Sequence, residues 1–380
     1  MKKGFKFYTP FGQNINYTVD CQIVDALEVC ALGKWTGKLC VVLWLSVCFL
    51  WTASSAFGEV ILEYKTPTPN SSPADLAIDS QGNVWFTEWN GNRIGRLVPP
   101  QARSQTSDGI TEYELPHPNS KPRYLTIAKN GMIWFTEGAN RIGRLNPHTG
   151  RIKEYDIPTP HSEPFEIAEA PDGSIWFLEF RVNKIGRLNP ETGRIVEFPI
   201  GPGNPRALII KDGKIWYTQG GMPWVNIFFN KLGYMEIKTS NVREIKIPPE
   251  KSVPHGMSLD HKTGDIWFTE INASKLARLD RSGPQPKVVE YFLGKNRFPK
   301  DICVHDHFVW FTVSGPAAIG RMDLSKAKPG TNRGLKFFNL LDPKDHPKQI
   351  TQDSKGQVWF TLPGDVANGK YNDKIGLLIP

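Results

Sequence analysis

Cysteine all but disappears after residue 48. Cys21, Cys30, Cys40 and Cys48 lie before that point, and Cys303 stands alone in the remainder. This distribution excludes a disulfide framework and a cysteine-based metal site. Charge of one sign is not massed anywhere either. Lys and Arg number 46 against 38 Asp and Glu, a net +8 over 380 residues. Many of the arginines recur singly, at Arg96, Arg144, Arg187 and Arg321. A nucleic-acid groove needs basic residues gathered on one face, so no nucleic-acid partner is expected.

Uncharged apolar runs are rare, and the one long example is at 39–58. Lys34 and Lys38 precede it, LCVVLWLSVCFLW forms its body, and the small residues of TASSAFG come after. A basic flank, an apolar stretch and small residues before a cut describe a secretory signal peptide. Left uncleaved, the same 20 residues could anchor the chain in a bilayer. Either way residues 1–58 are set apart, and residues 59–380 are expected outside the cytoplasm, periplasmic or secreted. Cys48 does not read as a lipidation site, since Val47 precedes it and the apolar run continues. Five lysines and three acids fall in 1–58, leaving +6 on residues 59–380.

What is abundant is repetition. WFTE at 85–88 returns as WFTE (134–137), WFLE (176–179), WYTQ (216–219), WFTE (267–270), WFTV (310–313) and WFTL (359–362). The spacings of 49, 42, 40, 51, 43 and 49 residues fall in the range of propeller blades. Each unit holds four short runs rich in Ile, Val, Trp, Phe and Tyr. Asn130-Gly131, Asp172-Gly173 and Asp212-Gly213 provide tight turns between the first two runs. The seventh unit ends with KIGLLIP, one strand short, while VILEYKTP at 60–67 is a fourth strand with no first three. Joining them closes a seven-bladed β-propeller, an all-β fold that fills residues 59–380 as one domain. Closure also removes the open edge that a solenoid would have to cap.

The unit IWFTE, then NRIGRL, then EY-x-IP, with PTP between blades, resembles the streptogramin lyases, the virginiamycin B lyase family. The likeness runs over about 320 residues, closure strand included. It implies a monomeric propeller that opens the lactone of streptogramin B antibiotics by elimination with Mg²⁺ assisting, an antibiotic-resistance activity. A base takes the proton alpha to the ester carbonyl while the metal stabilises the enolate. In the family, as the resemblance implies, the signature is a Pro-His opening the sixth blade and a Glu-Pro-His opening the seventh. This chain has Phe298-Pro299-Lys300 and His346-Pro347-Lys348 at those places. Its Pro-His-Gly is in the fifth blade, at 254–256.

Inner strands line a propeller's channel, so the residue after each opening proline belongs at one mouth: Ala74, Arg123, Phe165, Arg206, His255, Lys300 and Lys348. A hairpin symmetric about its turn sets each opposite the fourth residue of the WFTE core. Arg123 then faces Glu137 and His255 faces Glu270, while Arg206, Lys300 and Lys348 meet no acid. His255 with Glu270 is the general-base candidate, since a carboxylate can orient an imidazole, and Lys300, His346 and Lys348 complete the candidate catalytic set. Unpaired cations favour an anionic ligand, with Arg123, Arg206, Trp224 and Phe228 as binding candidates. The last two sit in GGMPWVNIFFNKLG (220–233), an apolar loop read as a ligand wall or partner patch. LPGDVANGKYNDK (362–374) reads as a Gly-rich loop on the same face. The two functional readings are a metal-assisted carbon–oxygen lyase and a non-catalytic propeller that binds an anionic small molecule or a protein.

Overall fold

The computed structural model describes residues 3–8, 14–19, 59–222, 225–248, 251–283 and 286–380. The chain divides into two units between Val60 and Ile61. The first contains a hairpin of Lys3–Tyr8 with Asn14–Val19. The rest of the expected signal peptide or anchor at 1–58, its apolar run included, lies outside the described residues.

From Val60 onward the chain forms seven four-stranded antiparallel sheets, each in consecutive order except the last. In that blade Ile350–Gln352, Val358–Asp365 and Lys370–Ile379 are completed by Val60–Lys65. The closure is fastened by side chains as well as by the ladder. Tyr64 stacks on Trp359 with ring centroids 5.7 Å apart, and buried Glu63 pairs with Lys374 at 3.0 Å.

The repeated motif explains how one blade holds together and meets the next. The tryptophan of WFT is about 1–3% exposed wherever it recurs. It stacks on the outer-strand aromatic of its own blade, as Trp85 does on Tyr113 and Trp134 on Tyr155, and it also enters the apolar cluster of the following blade. The IGR arginines lie over the same rings, Arg96 above Trp85 at 5.5 Å and Arg187 above Trp176 at 5.4 Å, so they are structural cations. The glycine before them is required by contact: a Cβ on Gly143 would sit 2.1 Å from the Phe135 ring.

Asparagines of the N-R/K-I-G motif join neighbouring blades. Asn140 Oδ1 accepts from Ser162 N–H at 2.8 Å, and Asn183 Oδ1 from Asn204 N–H at 2.8 Å. A single short side chain thus caps its own turn, with Asn140 at φ +70°, and fixes the start of the next inner strand.

Candidate functional site

The hairpin that opens a blade is not symmetric, except in the seventh. In six blades the proline itself pairs with the fourth core residue, as in Pro205↔Gln219 and Pro254↔Glu270, and a bulge occurs within the next two positions. The bulge re-aims the residue after proline out of the ladder. The expected cross-strand pairs Arg123–Glu137 and His255–Glu270 therefore do not form. Glu137 instead pairs with Arg141 at 3.1 Å. Glu270 is fully buried beside Glu290 and Lys275, within its own blade, and burial followed by the Glu290 charge raises it to about 8.

The threonine of WFT holds the bulge. The N–H two residues after proline donates to its Oγ1, as Asp75 does to Thr87 and Asp301 to Thr312. The threonine hydroxyl then donates across to the next blade: Thr87 to Arg123 O (3.0 Å), Thr218 to His255 O (2.7 Å), Thr269 to Lys300 O (2.9 Å) and Thr312 to Lys348 O (2.9 Å). Four mouth residues are thereby positioned by the core of the blade before them.

Five of those expected at the mouth, Ala74, Arg123, His255, Lys300 and Lys348, line one cavity of about 440 Å³, with His346 beside them. Trp89 and the stretch 363–366 complete its wall. The stretch is not a loop: Val358–Asp365 and Lys370–Ile379 run on past the blade as a paired hairpin, and Ser72 Oγ–H donates to Pro363 O at 3.1 Å. Trp89 also borders a second hollow of about 370 Å³, shared with Lys121, His161, Glu163 and Arg181.

The cations differ in how far they are compensated. Arg123 is 2.8 Å from Glu163 and lies 3.7 Å above the Phe165 ring centroid. Arg206 is buried behind them, 4.9 Å over Phe180, and donates to Gly221 O at 2.8 Å. It braces the 220–233 loop rather than lining the cavity, which corrects its assignment as an unpaired binding cation. Lys300 and Lys348 form no ion pair with any described residue. Lys348 lies 5.2 Å over the Tyr124 ring. Burial, then Arg123, with Asp75 opposing, push it down to about 7. Burial also lowers Lys300, with Asp365 opposing.

His255 is neutral. Burial, then the charges of Arg206, Lys300 and Lys348, hold it well below its ordinary value, and its Nδ1 lies 3.1 Å from Lys300 O. Among the described residues no carboxylate partners it to make it a strong base.

Below the cations lies a layer that the motif reading missed. Asp75 accepts from Leu125 N–H (2.8 Å) and Asp301 from Ile350 N–H (3.0 Å), while Glu166 accepts from Leu208 N–H. Each carboxyl ties its inner strand to the next blade. Burial raises Asp75 to about 6 and Asp301 to about 7. The signal was present as Pro-x-Asp/Glu at 73–75, 164–166 and 299–301.

Of the other candidates, Trp224 lies outside the described residues. Phe228 is half-buried with Lys251 Nζ 5.6 Å over its ring, and does not line the cavity. Around it Met222 pairs with Ile227 and packs on the core of blades 3 and 4, while Val225 is 52% exposed.

The sequence pattern of the virginiamycin B lyase family matches residues 54–262 and 100–367. The chain belongs to the virginiamycin B lyase family. The virginiamycin B lyase of Bacillus licheniformis is 47% identical over 36 residues, which is 10% of this chain and 12% of that protein. The selenomethionine-substituted virginiamycin B lyase of Staphylococcus aureus is 29% identical, with a TM-score of 0.71 over 85% of this chain and 100% of that one. A catalytically inactive histidine-to-alanine variant of the S. aureus enzyme, solved with quinupristin, matches with the same identity and TM-score. Magnesium, which the family resemblance implies, does not fit the residues here. The cavity sets Arg123, Lys300 and Lys348 against a single lining carboxylate, Asp365, where a dication needs several anionic oxygens, and among the described residues no three His, Cys, Asp or Glu side chains converge.

Proposed function

We propose that the propeller mouth holds a small organic anion. The observation that carries this reading is the placement of Lys300 and Lys348 on one cavity without an ion-pair partner among the described residues, next to Arg123. Basic side chains fixed in a partly dry concavity attract a carboxylate more strongly than solvated rim charges do. Calorimetric titration of the full chain with lactate and with citrate tests it. Binding that weakens with added salt and falls at least tenfold in Lys300→Glu is expected; unchanged affinity in that variant overturns the reading.

A second reading is elimination on a cyclic ester, favoured by where Lys348 stands. It comes after the proline of the seventh blade, where the family resemblance expects a histidine base. A lysine lowered to about 7 is partly unprotonated at neutral pH and can accept a proton, and Lys300 and Arg123 would then face the developing enolate. Mass spectrometry of quinupristin incubated with the protein, with and without Mg²⁺, decides it. A ring-opened isomer of unchanged mass supports elimination, and intact antibiotic beside folded protein retires it. The pattern at 34–58 supports export, to the periplasm or beyond, and the closed ring supports action as a monomer.

A further inference from the structure

Lys348 differs from an ordinary phosphate- or carboxylate-binding lysine in its surroundings. Its amine stands over Tyr124, beside Arg123 and Lys300 on the same cavity, with Asp75 and Asp301 near it and, among the described residues, no ion pair to hold its proton. Its carbonyl is fixed by the Thr312 hydroxyl and its N–H donates to Thr361 O at 3.1 Å, so the backbone that carries it is rigid. A lysine kept next to other cations, away from bulk water, is a carbonyl nucleophile.

We propose that Lys348 condenses with the carbonyl of a 2-oxo acid whose carboxylate lies against Arg123 and Lys300. The inference rests on the anion-binding reading and names the class of anion. The Lys348 nitrogen adds to the carbonyl carbon, the carbonyl oxygen gains a proton as the nitrogen loses one, and the carbinolamine then leaves its oxygen as water. One imine and one water form from one amine and one ketone, with no oxidation or reduction. The carboxylate is a necessary part of the substrate. Arg123 and Lys300 disfavour a cationic iminium at this place, and an adjacent carboxylate offsets their field. A plain aldehyde or ketone lacks that compensation. The second proton lost by the nitrogen goes out with that water, so no acid is consumed overall.

The test treats the full chain with pyruvate and cyanoborohydride, then maps the modified peptide by mass spectrometry, with lactate as the unreactive analogue in parallel calorimetry. The expected result is a gain of one pyruvic acid less one oxygen atom on Lys348 alone, suppressed by lactate. Lys348→Met should abolish it. Lys348→Arg, which keeps the charge but is no carbonyl nucleophile, should abolish it too, in protein shown to be folded by its unfolding transition. Arg123→Gln should require several-fold more pyruvate. Lactate binding without modification of Lys348 overturns this inference and leaves the anion site standing. Modification at Lys300, or scattered over surface lysines, overturns it too. Failure of both ligands to bind, by protein shown to be folded, overturns both readings.

Discussion

Thr312 shows how a single hydroxyl can serve the core and the mouth together. It accepts from Asp301 N–H and donates to Lys348 O, and its own side chain is fully buried. Thr312→Val keeps the shape and strands a buried donor and a buried acceptor. The expected loss is about 1–3 kcal/mol in urea unfolding, together with weaker anion binding because Lys348 is no longer held. Thr361→Val is the control. It removes the acceptor for Gln349 N–H and should cost comparable stability, with a smaller effect on affinity. Equal losses of affinity in the two variants would mean that the threonine ladder shapes the whole ring rather than individual mouth residues.

At the scale of the blade, buried carboxyl pairs link the second strand to the fourth. Glu88 beside Glu112, Glu137 beside Glu154, Glu179 beside Glu197 and Glu270 beside Glu290 are raised to about 9, 7, 8 and 8, by burial first and then by the neighbouring carboxylate. Their folded values lie above the ordinary 4.5, so the folded chain keeps protons that the unfolded chain releases. The stability they give is whole below about pH 4.5 and is lost as pH climbs through about 7–9. Glu88→Gln keeps a donor for Glu112 without the titration. It should gain about 1–3 kcal/mol over the parent at about pH 9 and little at about pH 5. An equal gain at both pH values would exclude titration of Glu88 as its cause. These pairs are not legible in the sequence, because their spacing varies and pattern alone does not say which faces of strands two and four meet. The blades themselves are legible, since Trp, Gly and turn residues fix each strand at its own position. Which mouth residues pair is not. The bulge after proline moves the partner in six blades, and pairing across a hairpin cannot be counted through a bulge. The hairpin beyond Leu362 reads as a loop in the sequence because Gly364 and Gly369 look like breakers, whereas here both adopt positive φ, +82° and +68°, within and beside a paired ribbon.

The ring as a whole depends on Val60–Lys65. Removing it would leave Lys370–Ile379 as an open edge, strip Tyr64 from Trp359, and free Lys374 from Glu63. Glu63→Ala alone should cost roughly 3 kcal/mol, less whatever Asp345, 3.4 Å from the same amine, retains. Deleting 60–65 should broaden the unfolding transition and bring self-association, both measurable by denaturant titration and size-exclusion chromatography. Adding back a peptide of 59–67 should reverse both. A monomer unfolding as sharply as the parent would show that the remaining three strands of the last blade suffice. The arrangement also sets an order of assembly. Of the propeller's strands, Val60–Lys65 is made first and completes its ladder last. Gln105 and Thr106 can hold Glu63 and Lys65 by backbone hydrogen bonds once blade 1 exists, but the partner strand Lys370–Ile379 follows only after six sheets.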